Sequence, residues 1–179
     1  PDVALHLHVG TIAMIERGVL SGQFQIGIVP EHRRSESLVY DELFDETMSL
    51  YAGRGHAWFG RKTAALGWDD LRKQPLAALG FHSPNMMLAH KRHLERRATA
   101  SDQEGVATLV LSGDFVGFLP DHYAESFVRA DRMRAVAPAT LNYRCRFSCV
   151  HLRAQALSRA AGSFRTALVA THAEAISPA

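Results

Sequence analysis

The sequence predicts an α/β protein of two similar lobes, and three observations carry that reading. The first is a near-repeat: residues 19–30 read Val-Leu-Ser-Gly-Gln-Phe-Gln-Ile-Gly-Ile-Val-Pro, and residues 110–120 read Val-Leu-Ser-Gly-Asp-Phe-Val-Gly-Phe-Leu-Pro. The second is the place of glycine in each copy. Gly22 and Gly113 follow apolar helix ends, where a left-handed residue closes a helix and glycine enters that conformation without a Cβ clash. The third is the pair of runs Phe24–Val29 and Phe115–Leu119. Both are nearly all apolar, as strands covered on two faces are, and Pro30 and Pro120 end them by removing a backbone donor.

The elements follow in order. Val3, Leu5, Leu7 and Val9 alternate with polar residues and predict a strand with one wet face. Gly10-Thr11 turns it into a helix over Ile12–Leu20, and the strand at Phe24–Val29 completes a βαβ unit, expected parallel with a right-handed crossover. Leu38–Phe44 and Thr47–Ala52 read as two extended segments, Gly53–Thr63 as a loop, and Trp68–Arg72 as one helical turn. Leu76–Gly80 is a buried strand. Ser83-Pro84 pairs a capping hydroxyl with a proline at the first helical position, and predicts a helix from Asn85 to about Arg97. A polar break at Thr99–Asp102 precedes the helix Gln103–Leu111 and the second copy of the repeat. Asp121–Val128 is a short helix, Met133–Val136 a short strand and Leu141–Leu152 a long one. Ser158–Glu174 is an amphipathic helix expected to bury Leu157, Ala161, Phe164 and Leu168 on one face.

Composition bounds the function. The 179 residues, 47% hydrophobic and 21% charged, describe an ordinary globular chain of one or two domains. A net charge of +2 is too small to argue for nucleic-acid binding by this segment. No stretch approaches the roughly 20 apolar residues of a membrane span, and the chain opens at Pro1 without a signal-peptide pattern. Cys145 and Cys149, four apart on a strand, would stand roughly 13 Å from each other at the usual rise per residue, too far for a disulfide. They read as thiols of a reducing compartment, or as two small core residues.

Chemistry-bearing constellations are few. His6-x-His8 and His90-x-x-His93 lack a third ligand at metal-site spacing, so no metal and no cofactor are expected. There is no Gly-x-Ser-x-Gly elbow, P-loop or dinucleotide fingerprint. Asp41, Glu42, Asp45 and Glu46 read as a solvated edge, and Lys91, Arg92, His93, Arg96 and Arg97 as a basic helical face. What remains is the set of turns at strand C-terminal ends, where open α/β sheets bind ligands: Gly10-Thr11, Val29-Pro30, Phe81-His82-Ser83 and Ala100-Ser101. Thr11 and Ser83 also stand at helix N-termini, which favour an anion.

The succession Pro1-Asp2-Val3, Val9-Gly10-Thr11, Leu20-Ser21-Gly22-x-Phe24-x-Ile26-Gly27-Ile28-Val29 and Leu50-Tyr51-Ala52-Gly53-x-x-His56 resembles the effector-binding domain of LysR-type transcriptional regulators. Asp70-Leu71, Pro75-Leu76, Glu104-Gly105, Leu111-Ser112-Gly113 and Gly117-Phe118-Leu119-Pro120 continue the likeness in order, over nearly the whole chain. The resemblance implies a fold like that of type II periplasmic binding proteins, two α/β lobes joined by two crossover strands. Residues 1–76 and 144–179 would form the first lobe and residues 77–143 the second. It implies a small organic effector, anionic or neutral, in the cleft between lobes, with Thr11, Pro30, Phe81, His82, Ser83 and Ser101 as pocket residues. It further implies a cytoplasmic homodimer or tetramer, with no membrane partner, that meets DNA only through an N-terminal winged helix-turn-helix absent from this chain. Two departures stand out: Gln25 occupies a usual aspartate position, and the family's opening strand and helix precede anything in this sequence. A transporter's solute-binding protein and an enzyme on the same bilobal fold are the other function classes. His82 and the helix N-termini suit a carboxylate; Phe81 and Phe118 suit an aromatic ring.

Overall fold

The computed structural model describes residues 3–172, which contain seven strands and six helices. The chain divides into two compact units, residues 1–45 with 145–179 and residues 46–144.

In the first unit, α1 (Ile12–Leu20) is capped by Thr11, whose Oγ1 accepts the Met14 N–H, and it ends at Gly22 with φ 74°. β1 (Gly27–Pro30) pairs antiparallel with β7 (Asn142–Leu152), from Gly27 opposite Val150 to Pro30 opposite Phe147. The helix rests directly on this strand. A Cβ at Gly27 would stand 2.6 Å from Ile15 Cγ2, so only glycine admits so close an approach. Ile12, Ile15, Val19, Val29, Leu38 and Val150 form the buried core of this unit, Leu38 being the first residue of β2 (Leu38–Gly53).

Two expectations fail here. Val3–Val9 forms no strand, and its apolar face is exposed, Val9 by 84%. Alternation supplies a face, but a strand exists only in a ladder, and no described strand pairs with this segment. The parallel βαβ unit is therefore not formed, and the described partner of β1 is antiparallel β7. The last helix, α6 (Arg159–His172), buries none of its residues, and Phe164 is 45% exposed. It is held by charge and ring contacts instead: Arg165 donates to both carboxylate oxygens of Asp41 at 2.6 and 2.5 Å, and His172 lies against Phe44. The expected end of this helix at Glu174 lies outside the described residues.

The second unit is built on the far half of β2. That half pairs antiparallel with β5 (Val116–Pro120) and with β6 (Met133–Ala135). β3 (Leu76–Leu79) runs parallel to β5 on one side and to β4 (Arg96–Ala100) on the other. Around them lie α2 (Trp68–Leu71), α3 (Pro84–Lys91), α4 (Gln103–Leu111) and α5 (Asp121–Arg129). Two cores form, and strand residues alternate between them: Leu50, Ala52, Leu76, Val116 and Phe118 in one; Tyr51, Ala77, Leu79 and Leu119 in the other. Ala89 of α3 joins the first, and Val106, Ala107 and Val110 of α4 join the second. Strand side chains alternate between faces, so α3 and α4 cover opposite faces of this sheet.

Local departures have physical causes. The two extended segments expected before residue 53 are one strand of 16 residues, β2, continuous because both halves have ladder partners. α3 stops at Lys91 because His93 takes the left-handed conformation, φ 54°, and the Leu94 N–H bonds the Ala89 carbonyl. β4 then begins at Arg96, so the expected basic helical face does not exist. Residues 46–76, expected in the first lobe, group with the second unit, and β2 and β7 each run from one unit into the other.

Candidate functional site

In the second unit the topology brings two turns side by side. The connection from β3 through α3 leads to β4 over one face, and the return from β4 through α4 leads to β5 over the other. Neighbouring strands whose following helices leave on opposite faces open a gap beyond their C-terminal ends, the place where open α/β sheets bind ligands. Phe81, His82, Ser83 and Ser101 follow the C-terminal ends of β3 and β4. The strands hold them side by side, with Leu79 opposite Ala100 and the Gly80 N–H bonded to the Ala100 carbonyl at 2.9 Å.

Each residue there has a distinct environment. Ser83 is buried and caps α3, its Oγ accepting the Met86 N–H at 3.2 Å. Phe81 is half-buried against the core under α4, whereas His82 and Ser101 are exposed. Asp102, not Ser101, caps α4, taking the Gly105 N–H on Oδ1 at 2.7 Å. The two helix ends therefore differ in charge. The α4 terminus carries Asp102 and Glu104, while α3 has a neutral cap and no acid in its first turn, leaving its N-terminal dipole uncompensated. Asn85, in that first turn, is a residue sequence reasoning missed. It is buried, its Nδ2 lies 3.4 Å from the Tyr143 hydroxyl, and its Oδ1 has no protein partner. A polar residue directly after Ser-Pro is the one local signal that marks it.

Thr11 and Pro30 lie in the first unit, and both serve local structure as well. Thr11 caps α1; the Pro30 carbonyl faces His32 Nδ1 at 2.7 Å. Behind them stands a polar cluster the sequence did not announce, since its members are 16 and 24 positions apart. His32 Nε2 lies 2.8 Å from Glu16 Oε1, and the Tyr40 hydroxyl donates to the same oxygen at 2.8 Å. Burial pushes the Tyr40 hydroxyl up in pKa, the Ser35 N–H opposes the shift, and the bond to Glu16 adds to it. Gln25 does not leave its position unbonded: its Oε1 accepts the Ser158 hydroxyl at 2.6 Å, just ahead of α6. A cavity of about 320 Å³ lies beside Gln25, Phe24 and Leu157, and none of the predicted site residues lines it.

The remaining constellations are structural. The acidic run is paired: Arg165 holds Asp41, Arg146 holds Asp45 and Glu42, and Glu46 stands 3.7 Å from His122. Cys145 and Cys149 are buried thiols outside any disulfide, and burial pushes the Cys149 thiol up to about 11, which removes its nucleophilic form at neutral pH. Among the described residues no group of three or more His, Cys, Asp or Glu is placed to hold a metal ion, and no helix is long and apolar enough to cross a membrane.

Comparison with known proteins gives this geometry a family. The chain is 36% identical over 143 residues to the HTH-type transcriptional activator BauR of Pseudomonas aeruginosa, covering 80% of the chain and 47% of the relative. It thus spans about half the length of that curated relative. The fold is that of the regulatory domain of HypT from Salmonella typhimurium (TM-score 0.70, 13% identity, 91% of this chain and 79% of that one). It is likewise that of the CcmR regulatory domain of Synechocystis PCC6803, solved in complex with 2-PG (TM-score 0.66, 16% identity, 89% and 78%). The pattern of the LysR substrate binding domain matches residues 1–173, and the chain belongs to that family.

Proposed function

We propose that this chain is the effector-sensing part of a bacterial LysR-type transcriptional regulator rather than an enzyme. A small organic acid is the effector; Phe81, His82, Ser83 and Ser101 are its proposed contacts in the second unit, and Thr11 and Pro30 are proposed as effector contacts within the first. The observation that supports the reading is the pair of turns after β3 and β4, held side by side, with two exposed polar residues and an uncompensated helix terminus in a chain of this family. A carboxylate is stabilised at such a terminus, and Phe81 offers an apolar wall. The regulator works as a cytoplasmic dimer or tetramer, and DNA is met by a helix-turn-helix encoded upstream of Pro1; a gene without one defeats the proposal.

A thermal-shift panel of small organic acids tests it. A ligand at 100 times its Kd stabilises by about 2.7 kcal/mol, or roughly 5–10 °C for a chain of this size. Binding of the best acid, followed by calorimetry, is expected to fall at least tenfold (about 1.4 kcal/mol) in His82→Ala with Tm unchanged. Thr11→Val is expected to weaken binding as well, while losing about 1 kcal/mol of capping energy without unfolding the chain. Unchanged affinity in both variants removes these residues from the site.

A further inference from the structure

We propose that the second unit carries a sequence-independent contact for the phosphate backbone of duplex DNA, on a basic face built by the loop after β2, the end of α5 and β6. The proposal rests on the reading of this chain as part of a DNA-bound regulator. It adds to the helix-turn-helix a second contact, made by this chain itself.

Packing, not sequence, assembles the face. β6 pairs with the end of β2, Met133 opposite Gly53, and the Arg54 N–H then bonds the Arg132 carbonyl at 3.0 Å. The Arg54 guanidinium donates to the Asp131 carbonyl at 2.9 Å and to its carboxylate at 2.5 Å, and Arg134 donates to the other carboxylate oxygen at 2.9 Å. Both guanidinium groups lie against one ring, 5.8 and 5.3 Å from the centroid of Phe59. Arg132 lies 5.8 Å over Phe127 of α5, and Arg129 at the end of that helix pairs with Glu125. Arg61 and Lys62 come just after Phe59, and Thr63 ties their loop to the segment after β6 by accepting the Ala137 N–H at 3.1 Å.

The charges at this end of the sheet are unevenly matched. Six exposed cations, Arg54, Arg61, Lys62, Arg129, Arg132 and Arg134, stand with three carboxylates: Glu125, Asp131 and Asp114, the last following Gly113 beside Arg54. The face is net +3 in a chain of net +2, so the rest of the chain is net negative. A small total charge conceals this segregation, and it is the local field that draws a polyanion. Arg61, Lys62 and Arg132 have no ion-pair partner among the described residues, and Arg132 makes no side-chain hydrogen bond among them.

The kind of partner follows from what the face lacks. Phe59 and Phe127 are half-buried beneath guanidinium groups, and Val128 is the only exposed large apolar side chain among the described residues 54–63 and 125–134. A protein interface takes an apolar, aromatic-rich centre, whereas phosphate contacts need only charge and N–H donors. A guanidinium stacked on a ring has little rotamer freedom left to lose, and its in-plane donors match paired phosphate oxygens. A regulator already held by its helix-turn-helix meets the same duplex at an effective concentration of about millimolar, so a weak contact suffices.

Fluorescence anisotropy of the whole chain with a labelled duplex tests this, as salt is raised from about 20 to about 200 mM. Binding is expected with a Kd of about 10⁻⁴–10⁻⁶ M, alike for unrelated sequences, and with a slope of log K against log salt of about −3 to −5. The pair Lys62→Gln and Arg132→Gln should flatten that slope by about two and weaken low-salt binding about tenfold. Tm should not change, because neither side chain holds an ion pair. Lys91→Gln with Arg97→Gln removes the same charge from exposed positions elsewhere in the unit and should leave the slope as it was. Equal losses in the two pairs, or no duplex binding at low salt, overturn the proposal. Binding of poly-L-glutamate in preference to the duplex also overturns it, and assigns the face to an acidic protein. Effector affinity should be the same in the Lys62 and Arg132 variants, so failure here leaves the effector reading standing. An acid panel without a hit defeats that reading with the anisotropy result intact.

Discussion

Gly22 and Gly113 close two helices with the same Leu-Ser-Gly ending, at φ 74° and 86°, yet their surroundings differ. A Cβ at Gly22 meets nothing within 4 Å, whereas one at Gly113 stands 2.7 Å from the Arg54 carbonyl oxygen and 3.3 Å from Gly55 Cα. The strands that follow differ in the same sense. β1 pairs with β7 alone among the described strands and leaves Ile28 44% exposed. β5 lies between β2 and β3 and is buried throughout, with Phe118 1% exposed between Trp68 and Tyr143. The same local code thus ends a helix in both places, and the neighbours decide how much depends on it.

Substitutions paired across the two copies test the comparison. Phe118→Ala is expected to destabilise by about 3–5 kcal/mol, since it empties a closed aromatic cluster, whereas Ile28→Ala at the open edge costs about 1 kcal/mol. Urea denaturation measures both, and similar losses would erase the distinction between the strands. Gly113→Ala combines left-handed strain with a backbone collision and is expected to cost about 3 kcal/mol. Gly22→Ala carries the strain alone, about 1 kcal/mol. An equally damaging Gly22→Ala would show that conformation, not packing, dominates at both sites.

The smallest effects are electrostatic, and they sharpen what burial means in the second unit. Burial lowers the His56 pKa, its Nδ1 accepting the Trp58 N–H at 3.1 Å. The unfolded chain therefore takes up that proton first, and the stability His56 contributes is present above the usual histidine pKa and lost as pH falls. Glu46 has the opposite sign. Burial raises its pKa, His122 partly countering, so its contribution is present at low pH and lost as pH rises through the raised value. Tm followed from about pH 4 to about pH 8, which spans the ordinary carboxylate and histidine ranges, should lose its acid-side slope in His56→Gln. In Glu46→Gln it should lose the decline on the alkaline side of the carboxylate range. Unaltered profiles would refute the buried setting of either group.

What could be read in the chain was what neighbours in sequence enforce. Thr11 and Ser83 cap the helices they precede, both repeat glycines are left-handed, and β3 and β5 are buried runs, because caps, turns and two-sided burial each leave a mark within a few residues. The family was equally legible, since ordered short motifs survive where overall identity is low. The site was legible as a set of turns and not as an assembly. Asn85 with Tyr143, and Glu16 with His32 and Tyr40, meet only after strands and helices have packed.

The sequence by itself determined where helices start, that Gly22 and Gly113 follow the ends of two of them, and that Leu76–Leu79 and Val116–Pro120 are interior. Only the tertiary structure decided that Val3–Val9 has no ladder, that Arg96–Ala100 is a strand, and that α3 and α4 lie on opposite faces of the sheet. A strand is defined by its partner and the face a helix covers by the direction of its connection, and neither is a property of the residues that form it.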